Sequence, residues 1–460
     1  MAAAIRSEVE TMSREEVRAL QDRLLAEQVE YVFAQSPFYR RKFELERLTP
    51  DDLRTVMTLE RLSFTTKAEI RASQERRRPL GDFLAVDPSR VMRVVTTSGT
   101  TGKPVYYAYD EQDLRAWFEV WARGLWAQGW DTERREIFLS VAGVSRLYGG
   151  SLADDIASYL GALPLPVGGE AGAERALTVL DDFGATVLWG TPSYLAYLGR
   201  RCPDVLGKPG RDTQVRLLSV SGEPGGGIPQ MRAELEELWG ADVRESLGML
   251  GFVQMWSECS RQDGMHYIAP DYCVAQLLDL ESGEVSEVTE GAQGELVYSL
   301  LQWAAHPQLR YRTGDVAVVT AGWGRCECGR TGPKVRCIGR TDDMLIVRGV
   351  NLYPSAVKEV ASRFRPATTG AIRIVLDSPA YSFNHPLKLK VEYGSDGDPQ
   401  HLSDLRVKIE DALRQYLGVR SEVLLVPAGT LDEPATSGRL TTTRKVEWFE
   451  RTYLSVPEQQ

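Results

Sequence analysis

Val94-Val95-Thr96-Thr97-Ser98-Gly99-Thr100-Thr101-Gly102-Lys103-Pro104 is the stretch from which the rest of this chain is read. Two β-branched valines predict the end of a strand. Threonines, a serine, two glycines and one lysine follow, and a proline closes the loop. Glycine lets a backbone approach a ligand closely, and successive N–H groups make an anion-binding nest. With hydroxyls and one cation added, the stretch reads as a polyphosphate loop. It lacks the order Gly-x4-Gly-Lys-[Ser/Thr], so it is not a Walker loop. Taken alone, it also reads as a flexible Ser/Thr/Gly surface turn.

On either side of this loop the chain alternates. Ile137–Val141, Thr186–Trp189 and Val215–Val220 read as short buried strands, and Glu174–Phe183 and Pro229–Trp239 as helices. From Val91 to Val316 that alternation predicts α/β layering on largely parallel strands. Before it, Val17, Leu20, Leu24, Val29 and Val32 recur at near-helical spacing between Glu15 and Phe33, predicting an amphipathic surface helix broken at Gln35-Ser36-Pro37-Phe38-Tyr39. After it the character changes. Ala371–Leu376, Leu387–Val391 and Ser421–Val426 read as strands, and His401–Leu417 as a helix with Leu402, Leu405, Ile409, Leu413 and Leu417 on one face. The expected organisation is a large α/β domain over residues 1–341 and a small α+β domain over 342–460.

With 460 residues, two or three domains are expected. A net charge of −10 argues against generic nucleic-acid or anionic-membrane binding. No apolar run reaches the length of a membrane span, and the N-terminus lacks a signal-peptide core, so a cytoplasmic location is expected. Six cysteines in a chain this long suggest no disulfide framework.

Four further segments join the loop in order: Ser219-Val220-Ser221-Gly222-Glu223-Pro224, Tyr311-Arg312-Thr313-Gly314-Asp315, Gly339-Arg340-Thr341-Asp342-Asp343 and Arg348-Gly349-Val350-Asn351-Leu352-Tyr353-Pro354. Together they resemble the adenylate-forming superfamily of acyl-CoA synthetases and peptide-synthetase adenylation domains. Tyr148-Gly149-Gly150, Gly190-Thr191-Pro192-Ser193-Tyr194, Glu258-Cys259, Gly264-Met265-His266 and Cys326-Glu327-Cys328-Gly329-Arg330 point to its phenylacetate–CoA ligase branch. The resemblance spans about Phe38 to Val446.

It implies a large N-terminal domain binding ATP and substrate and a small mobile C-terminal domain. It also implies a two-step reaction: a carboxylate attacks the α-phosphate of ATP, then a thiol, usually of CoA, displaces AMP. By motif, Thr97, Ser98, Gly99, Thr100, Thr101, Gly102 and Lys103 would hold the β- and γ-phosphates, with Mg²⁺. Gly222, Glu223 and Pro224 would line the adenine, and Asp315 would accept the ribose hydroxyls. Arg340 would assist at ribose or phosphate, Asp342 would be the hinge, and Gly349 would let the pantetheine arm pass. Tyr148, Gly149, Gly150, Trp189, Gly190, Tyr194 and Met249, with Phe252 and Met255, lie on segments that line the acyl cavity in relatives. Glycines beside aromatic walls favour an aryl substrate.

Six residues separate Cys259 from His266, with Cys326 and Cys328 about sixty residues on. Spacing alone leaves buried free thiols and a surface histidine as an equal reading. Some relatives hold a structural zinc with a similar set, so the resemblance implies a closed Zn²⁺ site of three thiolates and one imidazole. Cys202, Cys273 and Cys337 read as core cysteines, and His306 as a structural histidine.

Two segments depart from the family pattern. In Ser246-Leu247-Gly248-Met249-Leu250-Gly251, Leu247 replaces an aromatic residue that stacks on adenine and Gly251 replaces a Mg²⁺-binding Glu. Water, the phosphates, Glu245 or Glu258 would then hold the metal. In Thr436-Ser437-Gly438-Arg439-Leu440, Arg439 stands where the family places a catalytic Lys, and Lys445 follows six residues later. Arginine keeps the charge but is a planar fork rather than a point charge. Three readings stay open: an aryl-acid CoA ligase, a relative using another acid or acceptor (an amine, a carrier protein, or nitrite activated for an aryl amine), and a nucleotide-binding relic. A homodimer is the further partner the branch suggests.

Overall fold

A computed structural model describes residues 5–96, 104–143, 150–248, 254–348, 350–378, 380–394, 399–431 and 448–452. The chain divides into two compact units. One comprises Met1–Gly222 with Leu235–Cys337, the other Glu223–Glu234 with Ile338–Gln460.

The described residues on either side of 97–103 form a strand pair. Arg93–Thr96 and Tyr106–Tyr109 pair antiparallel, with Thr96 opposite Tyr106. Beyond it runs a twelve-stranded mixed sheet. One half is parallel: Leu163–Leu165, Ile137–Ser140, Val187–Gly190, Leu217–Val220 and Asp242–Gly248 are neighbours in that order. The helices Gly150–Tyr159, Gly172–Phe183, Pro192–Leu206 and Pro229–Trp239 alternate with these strands along the chain. The near-continuous apolar runs reflect strands buried on both faces.

The second half corrects the expectation of largely parallel strands. Gln254–Glu258, Met265–Tyr267, Lys334–Arg340, Tyr311–Ala321, Gln293–Leu300, Cys273–Leu278 and Val285–Glu287 continue the sheet, and their described pairings are antiparallel. No helix lies between these strands, so nothing carries the chain back for a parallel return.

The first long helix, Arg14–Gln35, starts at Ser13, whose hydroxyl accepts from the Glu16 N–H in a capping box. The expected break is a sharp turn at Ser36, and Pro37 opens a second helix, Pro37–Glu46. The first helix is less superficial than its pattern suggests. Val17, Leu24, Val29 and Val32 are buried, and so are Gln21 and Gln28. No helix among the described residues is long and apolar enough to cross a membrane.

In the C-terminal unit the strands Ser421–Val426, Leu387–Tyr393, Thr368–Leu376 and Phe449–Arg451 form one sheet in that order. Val357 and Val360 of helix Pro354–Ser362, and Ile409 and Leu413 of helix Pro399–Leu417, pack with strand residues Ile372, Ile374 and Leu389 in a separate core.

The loop joining Gln293–Leu300 to Tyr311–Ala321 runs through the interior of the N-terminal unit. Its His306 is 1% exposed, between the rings of Phe83 at 5.5 Å and Tyr107 at 5.4 Å. Burial pushes its pKa down to about 4. The unfolded chain therefore takes up a proton near pH 6.5 that the folded chain refuses, and stability falls as pH drops through that window. Asp113, whose carboxyl desolvation raises to about 7, titrates nearby with the opposite sign. Comparison with His306→Phe isolates the histidine. From pH 7 to pH 5 the wild type should lose about 2 kcal/mol of unfolding free energy relative to that variant. Parallel stability curves in denaturant titrations at both pH values would contradict this.

Candidate functional site

Asp315 sits on the long strand Tyr311–Ala321, and a neighbouring carboxylate sets its place. Glu295, 1% exposed, accepts from Arg312 Nε at 3.1 and 3.2 Å, from Arg312 Nη2 at 2.5 Å and from the Gly314 N–H at 3.0 Å. The ladder shifts register there, between Glu295 and Val297. Gly314 adopts φ +78°, a left-handed conformation that a side chain would resist. Thr313 Oγ1 donates to Leu296 O at 2.8 Å and accepts the Asp315 N–H at 3.0 Å. Asp315 is thereby held at 7% exposure. Sequence reasoning missed Glu295, although a lone acid between Gly294 and the run Leu296-Val297-Tyr298-Ser299-Leu300 was the available signal.

Gly222 follows the strand Leu217–Val220 with φ +89°. Ser221 N–H donates to Gly190 O at 3.2 Å. Glu223 and Pro224 are half-buried. Arg340 and Asp342 pair with each other, Nε to Oδ1 at 2.8 Å and Nη2 to Oδ2 at 3.3 Å. Of the two carboxylates considered for Mg²⁺, Glu258 accepts the Glu245 N–H at 2.9 Å, and both residues are buried. Leu247 packs against the main core.

Among the acyl-cavity residues, Trp189 meets Trp121 with ring centroids 5.2 Å apart. At Gly190 a side chain would begin 2.8 Å from Val141 Cγ2 and 3.0 Å from Leu195 Cδ2, so close packing by itself requires glycine there. Tyr194 stacks on Tyr197 at 5.9 Å, and burial, with Tyr197 and Glu170 nearby, raises its hydroxyl to about 12. Met255 is core. Thr97, Ser98, Gly99, Thr100, Thr101, Gly102, Lys103, Tyr148, Gly149, Met249, Gly251, Phe252, Gly349, Arg439 and Lys445 lie outside the described residues, and Gly150 opens the helix Gly150–Tyr159.

Cys259, His266, Cys326 and Cys328 converge. Their ligand atoms all lie within 4.8 Å of one another. Cys259 ends the segment after Gln254–Glu258, and His266 lies on Met265–Tyr267 opposite Lys334. The other two come from the turn before Lys334–Arg340. Cys259 Sγ is 4.0 Å from Cys326 Sγ, and Cys328 Sγ is 3.4 Å from His266 Nε2. Thiolates at about 2.3 Å from one tetrahedral zinc would stand roughly 3.8 Å apart, so the set fits. His266 Nδ1 lies 3.3 Å from Gly332 O, the tautomer that leaves the Nε2 lone pair facing the sulfurs.

Cys259 is pushed up and Cys328 pulled down, each first by hydrogen bonding to the other, and His266 adds to the second shift. Lys334, despite desolvation, is raised by Asp263 and by the Cys326 sulfur. A cation thus stands beside the cysteine cluster. Cys202 and Cys273 are core, and Cys337 is only half-buried.

Known proteins bear on this geometry. Residues 349–443 match the family described as AMP-binding enzyme C-terminal domain. The chain is 32% identical over 439 residues to the phenylacetate-coenzyme A ligase of Thermus thermophilus, covering 92% of this chain and 95% of that one. To the Escherichia coli phenylacetate-coenzyme A ligase it is 28% identical over 436 residues, covering 94% and 95%. A solved 2-hydroxyisobutyryl-CoA ligase, in the postadenylation state in complex with 2-HIB-AMP, superposes with a TM-score of 0.85 at 28% identity, over 97% of this chain and 92% of that one. The chain belongs to the phenylacetate–CoA ligase-like branch of the adenylate-forming, AMP-binding superfamily and is an AMP-forming ligase.

Proposed function

We propose that this enzyme activates an aryl carboxylic acid with ATP and passes the acyl group to CoA. What carries the reading is full-length likeness to phenylacetate-coenzyme A ligases, together with an Asp315 fixed in place by Glu295 and Thr313. In the first step a carboxylate oxygen attacks the α-phosphorus, the bond to the β-phosphate oxygen breaks, and pyrophosphate leaves. In the second a thiol sulfur attacks the acyl carbon, the bond to AMP breaks, and the thiol proton goes to solvent. Both reacting partners of the first step are anions, so positioning and positive charge dominate.

In this reading the residues 97–103 hold the β- and γ-phosphates with Mg²⁺, Lys103 supplying the cation. Gly222, Glu223 and Pro224 border the adenine. Asp315, an acceptor-only group when ionised, takes both ribose hydroxyls. Arg439 bridges carboxylate and α-phosphate in place of lysine, with Lys445 as the nearby alternative. Arg340 works at the ribose or phosphate, Asp342 is the hinge between half-reactions, and Gly349 gives passage to the pantetheine arm. Residues 148–150, Trp189, Gly190, Tyr194 and Met249 border the acyl group. Cys259, His266, Cys326 and Cys328 would hold one Zn²⁺ with no open position, a structural role that ties the segment after Glu258 to the turn before Lys334.

Gly251 and Arg439 favour a second reading, in which the activated acid or the acceptor differs: an amine, or nitrite activated for an aryl amine. Chromatography of nucleotide products separates the two. Mg-ATP with hydroxy-, amino- and unsubstituted aryl acids should give AMP, and a thioester when CoA is added. AMP only in the presence of nitrite and an aryl amine would replace the first reading with the second.

Two further outcomes are expected. Asp315→Ala should lower AMP formation by about 100-fold or more, because the ribose loses its charged acceptor. Unchanged turnover would remove the ribose assignment. Protein purified without added metal should carry about one equivalent of zinc by elemental analysis, and chelation should lower its melting temperature. A stable metal-free protein would sink the zinc site.

A further inference from the structure

The parallel sheet sets a row of polar side chains on one face. Ser140 pairs with Trp189, Trp189 with Ser219, and Ser219 with Arg244. Register partners share a face, and Ser246, two residues beyond Arg244, shares it too. Ser246 in turn lies opposite Ser257. The helix Glu111–Gln128 covers this face: Ser257 Oγ donates to Gly124 O at 3.0 Å, Gln128 Nε2 donates to Ser257 Oγ at 3.1 Å, and Trp121 meets Trp189.

Under that helix the hydrogen bonding is incomplete. The hydroxyls of Ser140, Ser219 and Ser246, the indole N–H groups of Trp121 and Trp189, and Gln128 Oε1 are all buried without a hydrogen-bond partner. Ser140 and Ser219 are 0% exposed, Trp121 1%. Buried polar atoms in folded proteins almost always have partners, so these orphans between the helix and the sheet face call for an occupant. The site also lies where a ligand would be. Ser140 ends its strand, and Trp189 and Ser219 are next to last in theirs, at the carboxyl edge where open α/β sheets bind ligands.

The chemistry of the orphans defines what fits. Gln128 Oε1 only accepts, but the orphans on the neighbouring strands, the Trp189 indole N–H and the Ser219 hydroxyl, can both donate. Arg244, the charged member of the row, folds back: Nη1 donates to Val243 O at 2.9 Å and Nη2 lies 3.2 Å from Asp242. Its buried Nε has no hydrogen-bond partner, but its charge is matched by Asp242, so a second charged group here would be desolvated without a counter-ion of its own. We propose that the acid this enzyme activates carries a neutral hydrogen-bond-accepting substituent on its ring, such as a hydroxyl, ether, carbonyl or nitro group, and that Trp189 and Ser219 read it. This rests on the acid-activating reading above and names the substrate class within it. Plain phenyl acids leave the donors unpaired, which is how sites built to hydrogen-bond a substituent reject analogues lacking it.

The test measures kcat/KM for AMP formation with matched acids: phenylacetic, benzoic and cinnamic acid against their 4-hydroxy, 4-methoxy, 4-nitro and 4-carboxylate forms. Neutral acceptor-bearing acids should be preferred over unsubstituted and 4-carboxylate partners by about 100-fold. Trp189→Phe keeps a ring and removes the N–H, and it should lower that ratio about tenfold. Ser219→Ala should lower it as well, while the ligand-free variant melts no lower than the wild type because an unpartnered hydroxyl has gone. A wild-type ratio near one, a ratio that neither substitution moves, or a destabilised Ser219→Ala protein (the sign of an ordered water as occupant) would each overturn the proposal and leave acid activation standing. AMP from no acid at all would overturn acid activation itself, and this inference with it.

Discussion

The loop between Leu300 and Tyr311 is buried along nearly its whole length, and a buried loop must have its backbone polar groups satisfied from elsewhere. The N-terminal helices do this with side chains. Gln28 donates to Trp303 O at 2.8 Å and accepts the Trp303 N–H at 2.9 Å. Asp113 accepts the N–H groups of Ala304 and Ala305 at 2.7 and 2.8 Å, and Tyr31 donates to Ala304 O at 3.2 Å. The Leu309 N–H donates to Tyr39 Oη at 2.7 Å. Arg310, at φ +49°, is held in a conformation costly to an arginine by hydrogen bonds to Glu60 O and Leu62 O and by the Phe64 ring at 4.2 Å. Loop and helices define one another, and the strand that leaves the loop carries Asp315.

Further along that strand a second set of buried charges takes over. Glu295 is paired with an Arg312 that keeps 38% of its side chain exposed, so the ion pair itself is worth little through Coulomb attraction. Its value is geometric, since the same carboxylate fixes Gly314 and the register shift. At the far end, the turn Cys326–Arg330 is anchored twice. The thiols face Cys259 and His266, and Arg330 makes a fully buried pair with Glu10 at 2.6 Å. Thr331 N–H donates to Glu10 O at 3.0 Å. The N-terminal segment is thus stapled to the cysteine turn, which explains how a single-turn 3-10 helix, Glu8–Thr11, stays folded against the sheet without a core of its own.

The parallel half of the sheet was legible because its evidence is local. Apolar runs such as Leu217-Leu218-Ser219-Val220 alternate with capped helices, and helix Pro229–Trp239 begins and ends where its sequence signals it. The antiparallel half was not legible, because a short buried run carries no information about the direction of its neighbour. Residues 254–340 lack helices, and that was the missed cue. Gln21 and Gln28 read as the polar side of a surface helix, since nothing nearby in sequence reveals that a loop some 275 residues away needs donors. The Cys/His set was suggested by resemblance rather than spacing, for its members reach one point only after two separate hairpins have formed. Glu295 and the Ser140–Trp189–Ser219 row escaped for the same reason: their meaning lies in cross-strand register.

That row also carries a cost in stability. An apolar face under the helix Glu111–Gln128 would stabilise the ligand-free enzyme better, since each buried unpartnered polar atom costs about 1–3 kcal/mol. A sheet whose neighbouring positions are Phe138, Val187 and Leu217, all 0–1% exposed, has the packing to tolerate that cost two residues further on, where the strands end. Gly251 and Arg439 change the groups expected near the phosphates, whereas Trp189 and Ser219 sit on rigid strands set by the core. Because rigid strands hold donors more accurately than loops do, a sheet face of this kind is where the proposed discrimination between acids would be most exact.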